Sequence, residues 1–371
     1  MHIKHFWLKL MLLFGFLPTY ASVYLIPESY QNLPGWHETQ ISSQELNALK
    51  ASCTRNLNLF SYYFQTKPDD VRGQLAWWIS CEKILSLPLK AAPELIKTTL
   101  EASFQPYLVT HNFSSFGLFT GYYLPQHNGS LYRTRYFNIP LYGMPAKTAN
   151  LPSREQISRM RVLPGIPVLA WIHSYVDRYF MQVQGSGRII LPRGRTLLLG
   201  YAGQNGYPYY PIGRFLRDIG AISPTRMSTE NMEHWLEVHP GLAQKIINLD
   251  ASFVFFRILP TTAPLGAEKV PLTGGHSVAV DPNFIPLGTP LWLSTYYPRV
   301  NASGEIEPGL PLNQFMVAQD SGGSIQGPVR GDVYWGSGKR AAFLASHMQS
   351  MGQYWLLLPK GLNVAPLLQD F

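Results

Sequence analysis

Charge is scarce in this sequence. Only 14% of its 371 residues are charged, well under the usual quarter, and no Lys/Arg run or nucleic-acid motif is present, which argues against a nucleic-acid partner. Cysteine is nearly absent too: Cys53 and Cys81 are the two. Neither the CxxC spacing nor a Cys/His cluster occurs, so a zinc site is not expected. A dinucleotide fold is disfavoured as well, because Gly185-Ser186-Gly187 does not extend to GxGxxG. The longest amino-terminal apolar run, Leu10 to Leu17, is short for a membrane-spanning helix. There is no internal repeat and no low-complexity linker.

What is plentiful is aromatic and turn-forming. Aromatics make up 13% of the chain, hydrophobic residues 46%, and there are 31 glycines and 30 prolines. That profile suits a turn-rich β protein with wide aromatic surfaces, long enough for two domains. The opening MHIKHFWLKLMLLFGFLPTYAS has a basic start, a short apolar core and Thr19-Tyr20-Ala21, so residues 1–21 read as a signal peptide. Its removal takes Lys4 and Lys9 and no acid, leaving 28 basic against 22 acidic residues, a net charge of +6. A basic exported protein favours anionic partners. In an oxidising compartment Cys53 and Cys81 are free to pair, and their apolar helical surroundings suit buried thiols equally.

Spacing predicts three helices first. One runs from Ser42 to Gln65, with Leu46, Leu49, Cys53, Leu57, Phe60 and Phe64 on one face. A second is capped by Asp69 or Asp70 and turns Leu75, Trp78, Ile79 and Ile84 inward, and a third spans Pro93 to Ser103. From Gly117 the pattern changes to strands, with Asn128-Gly129 as a hairpin signal. Arg178 to Gly194 reads as two strands around Gly185-Ser186-Gly187, and Gly200 to Gly206 as a loop rich in amides and hydroxyls. Helices are expected at Ile212–Ile219 and Thr229–Trp235, the second continuing after His239-Pro240 to Leu249, then a buried strand at Phe253–Phe256. Short strands follow at Ser277–Val280, Pro290–Ser294, Phe315–Gln319, Val333–Trp335 and Tyr354–Leu358.

The chemistry concentrates in FMVAQDSGGSIQGPVRGDVYWGSG, residues 315–338. An apolar strand delivers Asp320 to a glycine turn, and Asp332 follows inside an aromatic strand. Asp and Gly after a strand usually make a turn, and Asp281 before Pro282 reads the same way. Asp332 sits where Asp is disfavoured, and burial there would raise its pKa, as an acid catalyst needs. Two carboxyls near aromatic rings suit a carbohydrate cleft.

Seven segments in order resemble the membrane-bound lytic murein transglycosylase A family. They are FTGYYLP at 119–125, LPSREQI at 151–157, QVQGSGR at 182–188, GYAGQNGYPY at 200–209, SFVFFR at 252–257, the run at 270–292, and the run at 317–338. The resemblance implies an α+β protein, mainly β: a six-stranded double-psi β-barrel with amino-terminal helices, plus an inserted second β domain resembling a barrel. The barrel would comprise residues 22–125 and 260–371, the insertion 126–259, with a glycan groove between them. It implies cleavage of the β-1,4 bond between N-acetylmuramic acid and N-acetylglucosamine to 1,6-anhydro ends, without cofactor or metal.

The family's three aspartates match Asp281, Asp320 and Asp332, with Asp332 as the catalytic acid and then base. Gln182, Gln184, Gly185, Ser186, Gly187, Gln204 and Asn205 are expected along the glycan, with Tyr122 and Tyr201 as stacking surfaces. A periplasmic monomer acting on peptidoglycan follows, with peripheral membrane contact and a cell-wall complex as further partners. The family's well-studied members are outer-membrane lipoproteins, and the Cys they acylate is missing here; Ala251 also stands where the family often has Pro. Rival readings are a non-catalytic glycan binder and a polysaccharide hydrolase. An aspartic protease would need a second Asp-Ser/Thr-Gly loop, and Asp332 is followed by Val333-Tyr334.

Overall fold

The computed structural model describes residues 23–66, 71–148, 150–160 and 162–364. The expected signal peptide and the Asp69/Asp70 cap lie outside them, as do the side chains of Leu57, Phe60 and Phe64.

Two sheets organise the chain. In the first, β3 (Gly117–Leu124), β13 (Arg330–Ser337), β10 (Ser277–Ala279), β12 (Ile306–Asp320), β11 (Pro290–Val300) and β14 (Gln349–Pro359) follow one another, and β14 pairs back onto β3. The result is a closed six-stranded barrel, with no free edge among its strands. Pairings β10–β12 and β13–β3 are parallel and the others antiparallel. Outside it, β1 (Val23–Pro27) and β2 (Phe104–His111) extend the sheet beyond β14.

Strand alternation explains why these segments read as continuous apolar runs. Leu291, Leu293, Met316, Ala318, Tyr354 and Leu356 fill one core, with Phe119, Val278 and Val333. Their neighbours Trp292, Phe315, Val317, Trp355 and Leu357 point the other way, into a core with α1 (Ser43–Thr66), α2 (Val71–Ser86) and α3 (Pro93–Ser103). Both faces are therefore buried, each such large side chain contributing ~1.5–3 kcal/mol.

The disulfide Cys53–Cys81 ties α1 to α2 and sets which face of α2 looks inward. Ile84 is buried with Cys81, as is Gln74, but Leu75, Trp78 and Ile79 are 46%, 44% and 42% exposed. That corrects the expected phase: the inward stripe runs through Cys81, and three apolar residues lie on the opposite side.

The second sheet orders β5 (Ile139–Tyr142), β6 (Val168–Ile172), β4 (Gln126–Ser130), β7 (Ser186–Ile190), β8 (Thr196–Gln204) and β9 (Val254–Ile258), and a Gly143–Phe256 bridge links its ends. Against it and beside it lie α4 (Arg154–Arg159), α5 (Tyr175–Gln184), α6 (Ile212–Asp218), α7 (Thr229–Val238) and α8 (Pro240–Ile247); α9 (Lys339–His347) returns to the barrel. Neither α4, with its Ser153/Gln156 capping box, nor α9 was anticipated.

Three local expectations are corrected here. Residues 178–184 are helical, because Ser174 caps α5 through Val176 N and Asp177 N while Val176, Tyr179 and Phe180 bury one face at helical spacing. Asn128-Gly129 is mid-strand, not a hairpin turn: a Cβ at Gly129 would lie 2.5 Å from Ile189 and 2.8 Å from Trp171 O. Residues 200–204 are strand, paired with β9, rather than loop.

Candidate active site

Four residues share one row across four adjacent barrel strands. Asp332 on β13 stands opposite Thr120 on β3 and Ala279 on β10, and Ala279 stands opposite Asp320 on β12. Residues directly across a ladder point to the same face. Val333 fills the barrel core, so Asp332 and Tyr334 face outward, where Tyr122, Leu124, Ala279 and Tyr334 meet Leu198 and Leu259 of the second β domain. The strand places the carboxyl at the seam between the two sheets.

A bulge completes the row. Val278 pairs with Ala318, yet Ala279 pairs with Asp320, skipping Gln319. The extra residue re-aims the strand end, and it is what brings the second carboxyl opposite Ala279. With one strand between them, Asp320 and Asp332 have Cα atoms about 10 Å apart.

The two carboxyls differ in their partners. Asp320 is fully engaged: Tyr122 donates its hydroxyl to Oδ2 at 2.7 Å, while Ala267 N and Ser321 N donate to Oδ1, each at 2.9 Å. Asp332 accepts one bond, from Thr120 Oγ1 to Oδ1 at 2.6 Å, and Arg330 Nη2 steadies that hydroxyl at 2.8 Å. Among the described residues Asp332 Oδ2 carries no protein hydrogen bond.

Both carboxyls are half-buried, and burial pushes both pKa values up. For Asp332 the Thr120 bond and the Arg330 charge pull back, whereas Asp320 pushes further up. For Asp320 its three hydrogen bonds and the Lys269 charge oppose the burial. Tyr122, buried against Tyr334 with ring centroids 5.2 Å apart, is held well above the usual tyrosine range by burial and by Asp320.

Asp281 is not part of this row. Its oxygens accept from Asn283 N at 3.0 Å, Asn283 Nδ2 at 2.9 Å and Gly327 N at 2.8 Å, so it ties the turn after β10 to the loop before β13. Tyr122 is likewise a partner of Asp320 rather than an open stacking face.

The expected glycan contacts divide sharply. Gln182 is buried, taking Arg154 Nη1 at 2.5 Å and giving Nε2 to Val254 O at 2.7 Å. Asn205 is also buried, donating to Pro152 O and Ala251 O and accepting from Phe253 N. Their side chains are used up in fixing loops, which corrects the expectation that they face sugars. Gly185 caps α5 in the left-handed conformation at φ 73°, Ser186 starts β7, and a Cβ on Gly187 would strike Met181 Sδ at 2.6 Å. This glycine cluster is a helix-to-strand turn.

Gln184, half-buried at the end of α5, accepts from Tyr123 N at 2.9 Å and so joins β3 to that helix. Gln204 is exposed, accepting from Ser252 Oγ at 2.9 Å, and Tyr201 is 51% exposed. Thr120, Arg330 and Lys269 were missed as site residues. FTGYYLP contained Thr120, but only barrel closure shows it beside Asp332. A cavity of about 650 Å³ lies apart from the carboxyls, lined by residues such as Tyr30, Glu101 and Lys360. No group of His, Cys, Asp and Glu suited to a metal ion occurs among the described residues.

An MltA specific insert domain matches residues 118–257 and a 3D domain matches 276–358. Membrane-bound lytic murein transglycosylase A of Escherichia coli strain K12 is 37% identical over 241 residues, 64% of this chain and 65% of that protein. The match thus spans just under two thirds of that relative's length. The solved structure of LtgG, a lytic transglycosylase of Burkholderia pseudomallei, is 33% identical, covers 92% of this chain and 97% of its own, and superposes with a TM-score of 0.60. E. coli MltA with bound chitohexaose is 29% identical, with a TM-score of 0.64 and coverage of 82% and 89%.

Proposed function

The chain belongs to the membrane-bound lytic murein transglycosylase A family, and from that premise we propose that it is a peptidoglycan lytic transglycosylase with Asp332 as its single acid and base. The observation that carries the assignment is the asymmetry of the two carboxyls. Asp320 has protein donors on both oxygens, while Asp332 leaves Oδ2 open on the face toward the second β domain. Burial favours the protonated form of Asp332, which a general acid must present to the glycosidic oxygen.

The steps balance without water. Asp332 gives its proton to the leaving oxygen of N-acetylglucosamine as the bond to C1 of N-acetylmuramic acid breaks. The C6 hydroxyl of the same muramyl residue then attacks C1, and Asp332 takes its proton. The net proton transfer is from the C6 oxygen to the leaving oxygen, and the product is a 1,6-anhydro ring. Because nucleophile and electrophile sit on one sugar, no second carboxylate nucleophile is needed. As Asp332 ionises, Thr120 and Arg330 stabilise its anion.

The glycan strand is proposed to occupy the seam between barrel and insertion, the latter taken as residues 126–259. The chitohexaose bound to the E. coli relative supports a β-1,4 amino-sugar chain as ligand. Tyr201 and Gln204 remain as exposed candidates to line it. The relatives' names place them at a membrane, which supports an envelope location, although no helix among the described residues is long and apolar enough to cross a bilayer. The test is digestion of murein sacculi with mass analysis of products. Wild type should release anhydro-muropeptides and Asp332→Asn none, with glycan binding kept. Hydrated ends would make the protein a hydrolase, and an active Asp332→Asn would end the assignment.

A further inference from the structure

The loop that holds Asp320 is itself pinned from behind. Residues 264–272 fold into a turn closed by the Leu265–Pro271 bridge, with Gly266 N bonded to Val270 O at 3.1 Å and Lys269 at φ 68°. This turn presents Ala267 N to Asp320 Oδ1 and brings the Lys269 charge to bear on the same carboxylate. The next residue, Glu268, bonds through its N–H to Gln319 O at 3.1 Å and sends its carboxyl the other way, under α1.

There a buried polar network waits. Glu268, 6% exposed, accepts from Ser52 Oγ at 2.7 Å. The same hydroxyl accepts from Gln319 Nε2 at 2.8 Å, which also donates to Ala48 O at 2.9 Å. Gln319 Oε1 in turn accepts from Ser277 Oγ at 2.6 Å. Two glycines leave room for this packing: a Cβ on Gly288 would sit 2.7 Å from Glu268 Oε1, and one on Gly266 2.3 Å from Gln319 O. Ser52 precedes the disulfide-bonded Cys53, so the network adjoins the point where α1 is cross-linked to α2. Gln319 is the residue that the β12 bulge turns away from Ala279, and Asp320 follows it.

We propose that Glu268 and Gln319 are positioning residues for the reaction, pinning the 264–272 turn to α1 through Ser52 so that Ala267 and Lys269 hold Asp320 beside Asp332. This inference rests on Asp332 being the acid. The groups facing Asp320 are Tyr122 from β3, Lys269 from the turn, and Asp332 and Tyr334 from β13; those facing Glu268 are Ser52 and Arg55 from α1. If the turn lifts, Asp320 loses an N–H donor and a cation, both of which favour its anion. Its proton affinity rises, and a neutral Asp320 no longer pushes Asp332 up. Asp332 then loses its proton at lower pH, and the alkaline limb of kcat moves in the acid direction.

The experiment measures kcat, KM and pH profile on soluble glycan strands with the full chain. Glu268→Leu should lower kcat about 10-fold with KM little changed, since positioning acts on the chemical step, and should move the alkaline limb to lower pH. Glu268→Gln, which still accepts from Ser52, should restore most of the rate. Asp320→Asn should move the limb the same way, and the double variant should add little, because both act through one carboxyl. Should Glu268→Leu fail to fold, Ser52→Ala carries the same expectation, as it removes the shared hydroxyl. An unshifted limb with only a lower Tm, or fully additive losses, would overturn the proposal. Full activity in Asp332→Asn would overturn the underlying reading instead, whatever the loop variants do.

Discussion

Thr120→Val isolates the support given to Asp332. The replacement keeps the branched shape and removes the 2.6 Å bond to Oδ1, together with the oxygen that receives Arg330 Nη2 at 2.8 Å. A hydrogen bond to a charged group is worth ~1.5–3 kcal/mol. The bond favours the anion, so its loss raises the Asp332 pKa beyond the increase that burial already causes. The sign follows directly. The protonated acid persists to higher pH, so the alkaline limb of kcat should move up, opposite to the shift expected for the Glu268 variants. The forming carboxylate is also less stabilised when the proton leaves, so plateau kcat should fall about 3- to 10-fold, a part of the lost energy being expressed in the transition state. Initial rates of anhydro-muropeptide release across pH, with Tm recorded alongside, supply the assay. A downward or absent shift with unchanged kcat would show that Asp332 is not the titrating acid or that Thr120 does not touch it.

The remaining predictions concern the scaffold and the groove. Asn205→Ala should cost about 2–4 kcal/mol of stability, because it removes the bonds to Pro152 O, Ala251 O and Phe253 N and leaves Phe253 N unpaired; an unchanged denaturation midpoint with weaker glycan retention would return Asn205 to the groove. Tyr201→Ala, at an exposed position, should leave Tm intact and weaken sacculus retention several-fold, and equal retention would remove it from the glycan path. Reducing Cys53–Cys81, which closes a loop of 28 residues in sequence separation, should lower stability by about 3–4 kcal/mol on the chain-entropy account, measured by urea denaturation with and without reductant.

Periodicity made much of the architecture legible. Pro93 to Ser103 and the helix begun at Thr229 lie where apolar spacing put them, since a helix burying one face repeats its apolar residues at three and four. The barrel strands were equally visible as apolar runs, because both their faces are covered. Residues 178–184 misled for a related reason: a short aromatic segment before glycine fits a strand or a buried helix, and only the Ser174 cap and the packing of Val176, Tyr179 and Phe180 distinguish them. On α2 the sequence offers two apolar faces, Cys81–Ile84 and Leu75–Trp78–Ile79, and the pairing of Cys81 with Cys53 selects between them.

For the site, the chain by itself marked Asp320 and Asp332, since an acid inside an aromatic strand violates local preference and so draws notice. The family resemblance assigned their roles, but neither it nor spacing distinguished Gln182 and Asn205, whose amides close loops, from Gln204, whose surroundings stay open. Those distinctions are non-local. Thr120 reaches Asp332 across 212 positions of sequence, Tyr122 reaches Asp320 across 198, and Ser52 reaches Glu268 across 216. Composition and spacing determined most of the strands and helices, because those depend largely on neighbours along the chain. Barrel closure and one bulge decided which carboxyl keeps an open oxygen, because hydrogen-bond partners and burial are fixed only when distant strands meet.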